Sequence, residues 1–436
     1  MNAQPAISPR AQRLATRLKA TADRLDALAL PAGPGWLLAA RSSALARLAG
    51  IGLPEKRDEY WSYTDPARLL TAEVPTAEVF RAADEPTMYD GIDRLKLVFV
   101  DGVFDAVASD PITGEGIEIS RLADDCGTHW AQGIYGTLET AGQTPVARPL
   151  AALNTAMATD GVLIRVTGRV EKPVSLIYRR RTTDADVSLH HVLRLEPGAE
   201  LTLLENGPVA ARSSIVIEAD LADGAVLHHV RTMGRDHQRV ALTHLFARLG
   251  AGSRLKSFTL SMNGRLVRNE AVVWLNGEGG TAHVAGAALG DGAFHHDDTV
   301  FVTHAAPGCE SRQVFKKVLR NGAVGVFQGK ILVDRIAQLT DGYQLSQSLL
   351  LDERCQFLAK PELEIYADDV KCSHGSTSGE IDPMHLFYLR TRGIPESEAK
   401  LLLVLAFLAQ ALDEIDRADI IEDMRERLRR WLEKHA

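Results

Sequence analysis

The spacing of apolar positions changes character twice along the chain. Between residues 8 and 30, Leu14, Leu18, Leu25 and Leu28 share one helical face. Pro31-Ala-Gly-Pro34 stops that pattern, and a second helical stretch follows from Trp36 to Ala49. The charged and aromatic segment Leu53–Leu70 reads as a loop and short helix pinned by Tyr60, Trp61 and Tyr63. Leu95–Val103 reads as a strand and turn, and the pattern stays mixed to about Thr155. From about Gly161 the runs become short and alternate with period two: VLIRV (162–166), HVLRL (191–195), LTLLE (201–205), IVIEA (215–219), VLHHV (226–230), LKSFTL (255–260) and AVVWL (271–275). Alternation of this kind is the signature of strands, so a long all-β region is expected.

The turns between these runs recur. LEPGAEL, LADGAVL, LGAGSRL and LNGEGGTAH centre on Gly198, Gly224, Gly252 and Gly280, at gaps of 26, 28 and 28 residues, after which the repeat fades. A fixed interval of this size points to stacked coils rather than a sandwich. After Pro383 the chain turns helical. Met384–Arg392 is one short helix, and a longer apolar one runs from about Pro395 to Ile415. A striped one follows, with Ile420, Met424, Leu428, Trp431 and Leu432 on one face. That stripe fits either packing on its own domain or a partner. We expect a mainly β protein, a right-handed parallel β-helix (β-solenoid) with N- and C-terminal helical domains. Its boundaries fall at residues 1–155, 156–382 and 383–436.

Composition narrows the functional classes. With 45% hydrophobic and 24% charged residues the chain is an ordinary globular one, and a net charge of -8 without basic runs argues against nucleic acid as a partner. The four cysteines, Cys126, Cys309, Cys355 and Cys372, lack CxxC spacing and fit a reducing, cytoplasmic setting. The N-terminal residues lack the apolar core of a secretory signal. The longest apolar run, Leu401–Leu412, is shorter than the ~20 residues a membrane helix needs, so no membrane segment is expected.

Several motifs are weaker than they look. Gly325-Val-Phe-Gln-Gly329-Lys330 has three residues between its glycines where a phosphate loop has four, and Ile331 stands where a Ser or Thr would hold Mg²⁺. His295-His296-Asp297-Asp298 reads as a solvated turn or strand edge, because neighbours on a strand point to opposite faces. His190-His191 and His228-His229 likewise place one residue in and one out. Asp297-Asp298 and Asp368-Asp369 raise a β-helix polysaccharide-degrading enzyme. Such an enzyme needs an aromatic-lined groove, and only 6% of the residues are aromatic. Cys372 and His374 form the sharper pair. If extended, they share a face about 6.5 to 7 Å apart, close enough to hold one metal or cluster. They read equally as a buried thiol beside a histidine that bonds the turn. Four dispersed thiols do not make an independent iron–sulfur site, so a partner would have to supply further ligands.

Three stretches together resemble a known family. PELEIYADDVKCSHGSTSGEID (361–382) followed by LFYLRTRGI, the block VFQGKILVDRIAQLTDGYQLSQSLLLD (326–352), and LPEKRDEYWSYTDPARL near the start are similar to the SufB/SufD iron–sulfur assembly proteins, with D-type wording at Cys-Ser-His-Gly. The resemblance runs from about residue 53 to the end and is strongest over 310–410. It implies a β-helix between helical domains and a non-catalytic subunit of a cytosolic complex. The partners it implies are a SufB-type scaffold and SufC-type ABC ATPases, the latter docking on the C-terminal helices. It also implies that His374 lies at the interface with the B-type subunit, where a transient cluster or iron is shared, with Cys372 as its neighbour. Cys355 falls where B-type chains carry a cluster cysteine and D-type chains a small residue, so it reads as a candidate ligand or an inert buried thiol. A homodimeric scaffold using Cys355 and His374 from two copies is the alternative within the same chemistry.

Overall fold

The computed structural model describes residues 9–26, 28–79, 88–124, 129–234 and 238–434. Its strands are Leu95–Val100 (β1), Val103–Phe104 (β2), Thr113–Gly114 (β3), Ile117–Arg121 (β4), Val162–Val166 (β5), Val174–Arg179 (β6), Asp186–Leu195 (β7), Glu200–Asn206 (β8), Arg212–Leu221 (β9) and Val226–Met233 (β10). They continue as Val240–Leu249 (β11), Arg254–Met262 (β12), Leu266–Leu275 (β13), Thr281–Asp291 (β14), His295–His304 (β15), Glu310–Arg320 (β16), Val324–Val333 (β17), Thr340–Leu350 (β18), Gln356–Ile365 (β19) and Val370–Gly379 (β20). Helices Pro9–Leu25 (α1), Gly35–Ile51 (α2), Ala67–Leu70 (α3), His129–Gln132 (α4), Thr137–Ala141 (α5) and Pro149–Met157 (α6) precede the main strand run. Pro383–Thr391 (α7), Glu396–Leu412 (α8) and Ala418–Lys434 (α9) follow it.

Among the described residues the strands form two sheets, ordered β2-β1-β6-β8-β10-β12-β14-β16-β18-β20 and β19-β17-β15-β13-β11-β9-β7-β5-β4-β3. Successive strands alternate between the sheets, and within each sheet the main-run neighbours are parallel. This is the β-solenoid the periodicity predicts. Pairing reaches back to Leu95, which is the in-register partner of Val174, so the stack begins earlier in the chain than the first alternating run. Nor does the repeat end at Gly280. Thr281, Glu310 and Asp341 are successive in-register residues, and so are Gly342 and Cys372. The later coils are longer than the first three and turn on other signals, Gly308 and Asn321-Gly322 with positive φ, so a search at fixed interval loses them.

One interior column shows how the core is built. Leu201, Leu227, Leu255, Ala282, Ser311, Gly342 and Cys372 stand in register across seven strands. The outer faces are covered as well. Leu37, Tyr60, Tyr135 and Ile134 pack on Val192, Val216, Phe246 and Phe301 of one sheet. The expected stripe Ile420, Met424, Leu428, Trp431 and Leu432 packs on Phe258, Leu260, Ala287 and Leu289 of the other, so α9 serves its own domain. Among the described residues no helix is long and apolar enough to cross a membrane.

That cover overturns the solvated reading of His295-His296-Asp297-Asp298. Side chains do alternate between faces, but both faces are buried, and His296, Asp297 and Asp298 are each at most 3% exposed. Outside the coil, Asp297 accepts from Thr64 Oγ1 (2.6 Å) and Arg268 Nη1 (2.5 Å). Arg268 bonds Glu270 at 2.7 Å and lies 4.1 Å over the Trp61 ring, so the N-terminal segment is docked by buried charge. Inside, Asp298 accepts from Lys317 Nζ (2.8 Å) and Asn269 Nδ2 (3.1 Å). Asp297 and Asp298, one of the two acidic pairs that suggested a glycan-cleaving groove, are committed to ion pairs. Removing one partner of such a pair costs about 3–5 kcal/mol.

The histidine pairs behave alike. His191 faces inward to Tyr178 Oη (3.1 Å), while His190 faces outward, its ring tilted against that of Tyr135 with centroids 4.2 Å apart, and is bonded to Glu218 at 3.0 Å. Inward His229 meets Glu205 at 2.8 Å, beside Arg231. Burial holds His191, His228, His244 and His304 down to about 4. In the unfolded chain they titrate near 6.5. Between those values the unfolded state binds protons that the folded state refuses, so stability is complete above pH 6.5 and falls as pH drops toward 4. Urea unfolding between pH 7.5 and 4.5 should show a midpoint that declines below pH 6.5, by up to about 1.4 kcal/mol per pH unit for each such histidine. A flat profile would contradict this account.

Candidate functional site

The two ends of the solenoid differ. At the start, the antiparallel pairs β1–β2 and β3–β4, with β4 laid antiparallel on β5, close the stack. At the other end β19 and β20 are the last strands of their sheets, and among the described residues nothing pairs with their outer edges. An unpaired edge is a row of free backbone donors and acceptors, a template for another chain. Its sequence suits water while it is open: β20, KCSHGSTSG, is almost wholly polar or small, and most of it is exposed.

Cys372 and His374 lie on β20 and face the same way, as the period-two argument requires. The direction is inward. A Cβ added to Gly342 would meet Cys372 Sγ at 3.3 Å and the buried Ile331 at 3.2 Å, so the thiol packs closely over this glycine. Ser346 and Ser376 hydroxyls meet at 3.1 Å along the same face, as do Ser348 and Ser378. Cys372 is half-buried against Ile331, Val333 and Ala367, whereas His374 is exposed and lacks a hydrogen-bond partner among the described residues. The interior of the last coil is therefore an open mouth. It presents a thiol, an imidazole and two hydroxyls opposite the partly covered Phe357 and Leu363 of β19.

The outer face of β19 is fixed by the N-terminal segment. Lys360 bonds Glu59 at 2.6 Å and stands 4.0 Å over the Tyr60 ring, and the Tyr60 hydroxyl donates to Glu362. Lys330 pairs with Glu364 at 2.5 Å. The edge is thus rigidly held from outside and bare on its end.

Cys355 lies elsewhere. It belongs to the corner between β18 and β19, packed with Phe294, Leu319 and Ala323, and its Sγ donates to Asp352 Oδ2 at 3.4 Å. Most of a strand separates this corner from Cys372, a span of about 25 Å. The structure brings Cys372 and His374 together and leaves Cys355 apart. Cys126 lies outside the described residues. Burial pushes the thiols of Cys309, Cys355 and Cys372 up, with Asp352 adding at Cys355 and Asp341 at Cys372. Among the described residues no three His, Cys, Asp or Glu side chains converge as a metal site. Cys372 and His374 thus supply two donors, fewer than the four a closed site would need.

Beside this end, α7 leaves a second bare surface. Met384, Phe387 and Tyr388 are 70%, 63% and 56% exposed and lie on one helical face. Only Glu380–Asp382 separate α7 from β20, and Asp382 caps the helix by accepting from Met384 N at 2.8 Å. Between these helices and the solenoid runs a cleft of about 720 Å³, lined by Arg320, Asp352, Ile381, Lys400 and Trp431.

Comparison with known proteins places the chain in a family. A family model for the SufBD core domain of the SUF system for FeS cluster assembly matches residues 178–407, and the chain belongs to that family. It is 29% identical over 388 residues to the iron-sulfur cluster assembly protein SufD of Escherichia coli (strain K12), covering 85% of this chain and 87% of that one. A SufBD family protein of Synechocystis is 27% identical over 404 residues, at 87% and 88% coverage. The Bacillus subtilis SufD is 27% identical over 277 residues, at 61% and 63%.

The described thiols should separate in reactivity. With N-ethylmaleimide at pH 8 and peptide mapping, Cys372 at the open end is expected to react about tenfold or more faster than Cys309 and Cys355, which are 1% and 6% exposed. Equal rates would mean that the last coil is closed.

Proposed function

We propose that this member of the SufBD family is a D-type, non-catalytic subunit of a cytoplasmic SUF-type iron–sulfur assembly complex. Its open solenoid end pairs with a SufB-type scaffold. Its C-terminal helices dock a SufC-type ATPase. His374 and Cys372 contribute to a transient iron or cluster site whose remaining ligands come from the scaffold, and Cys355 plays no direct part.

The observation that carries this reading is the unpaired end itself. One closed and one open terminus specify a single side for association, and the two donors sit at that side. A second chain that extends the strands would satisfy their free backbone groups and enclose both donors at once. The ATPase assignment rests on α7. Its apolar face is exposed while that of α9 is buried, and three residues connect it to the strand that carries His374. Movement of a docked ATPase would thus reach the site through a short link. A homodimer through the same end is the second reading, because the edge is open to a second copy of the chain as well.

Co-expression with the scaffold and ATPase subunits tests the assembly. In that complex His374→Ala should lower cluster formation at least tenfold while leaving assembly and ATP hydrolysis near normal. Loss of the complex itself would make His374 a structural residue. Changing the exposed α7 face by Phe387→Asp should release the ATPase and retain the scaffold, since an unpaired charge at the centre of an apolar contact costs several kcal/mol. Retention of the ATPase would move its dock away from α7. A chain that stays dimeric with itself in the presence of the scaffold would favour the homodimer.

A further inference from the structure

His374 stands directly above a buried glutamine. Gln344 on β18 is its in-register partner, and Gln313 on β16 lies one coil below in the same column. Gln344 is 1% exposed and Gln313 fully buried. Both amides reach across the interior and bind backbone on the opposite sheet through their nitrogens. Gln344 Nε2 donates to the Glu362 carbonyl at 3.3 Å, and Gln313 Nε2 to the Lys330 carbonyl at 3.4 Å. In each case the amide oxygen, Oε1, is buried without a partner. The Gln313 oxygen lies against Gly329, where an added Cβ would stand 2.8 Å from it.

A buried carbonyl oxygen left unpaired costs about 1–3 kcal/mol, so one in a built column calls for an ordered water, a ligand or a moving donor. For Gln344 a donor is at hand. Neighbouring parallel strands lie about 4.8 Å apart, which puts side chains of one column within reach of each other. A neutral imidazole has one N–H to give and one lone pair to keep. Histidines that bind metals usually spend the N–H on a carbonyl or carboxylate, which fixes both tautomer and ring orientation.

We propose that Gln344 is a positioning residue for His374. Its Oε1 accepts the ring N–H, anchored by its own Nε2 on Glu362, so that the other ring nitrogen is presented through the open end. The inference rests on the reading of His374 as a contributor to a shared iron site, and it adds a residue that never touches the iron. Cys372 needs no such support, since it packs closely over its column partner, a glycine.

The test has two arms. In the first, the full chain is labelled with ¹⁵N in the histidine rings and observed by long-range NMR at pH 8, with the His374 signal identified by its loss in His374→Ala. One tautomer is expected in the native protein, the mixed average of free imidazole in Gln344→Leu, and one tautomer again in Gln344→Glu, which keeps an acceptor. Should Gln344→Leu fail to fold, the tautomers of the native chain and of Gln344→Glu decide. A mixed average in the native chain, or a tautomer indifferent to Gln344→Leu, overturns the proposal.

The second arm measures ferrous iron loading of the complex with scaffold and ATPase. Gln344→Leu is expected to weaken loading about 10- to 100-fold, with assembly and ATP hydrolysis unchanged and loading restored in part by Gln344→Glu. Normal loading in His374→Ala would overturn the shared-site reading while leaving the tautomer result intact, so the two failures are told apart.

Discussion

Each coil of a parallel solenoid completes its backbone hydrogen bonding only through the coils above and below it. That one requirement organises the rest of this molecule. It forces in-register columns, it makes the interior continuous, and it leaves whichever coil comes last with a row of unpaired groups. The chain meets the demand at its first coils with antiparallel strands and, among the described residues, leaves it unmet at β19 and β20. The residues with metal-binding chemistry are found where the ladder stops.

The flanking domains make the open end usable. Without the N-terminal helices the outward Asp297, Glu270 and Arg268 would be ordinary surface charges; under Tyr60, Trp61 and Thr64 they become a buried clamp between domain and sheet. The clamp continues to the edge itself, where Glu59 and Tyr60 hold Lys360 and Glu362 of β19. On the opposite side α8 and α9 cover part of the other sheet, and neither covers the unpaired edges of β19 and β20 among the described residues. A half-made buried network would be costlier than none, so the two sides of the clamp depend on each other.

Much of the architecture was legible in the apolar pattern, since a coil that buries both faces of its strands still alternates in size and polarity. VLIRV matches β5 residue for residue, and the Gly198, Gly224 and Gly252 turns mark three coils. The pattern failed where polarity ceased to report exposure. In HHDDT both faces are polar and both are buried, one under the N-terminal segment and one inside the tube, and no local signal separates that from a solvated edge. The Cys372–His374 pair was visible from its spacing, but its inward direction was not, because β20 has no apolar face to set it. Gln344 was invisible for a related reason: its role is defined by a residue 30 positions later, through a register that only the stacked coils create.

The column that ends in Cys372 has a wider meaning. Read from the first coil upward it is leucine, leucine, leucine, alanine, serine, glycine, cysteine, and the neighbouring one ends in glutamine, glutamine, histidine. The reactive residues thus occupy the same lattice points as filler in the coils below, and differ from them only in having no storey above. A repeat protein of this kind can acquire a reactive terminus by stopping. Where the array ends, and not a dedicated pocket, decides which of its interchangeable positions meets the outside.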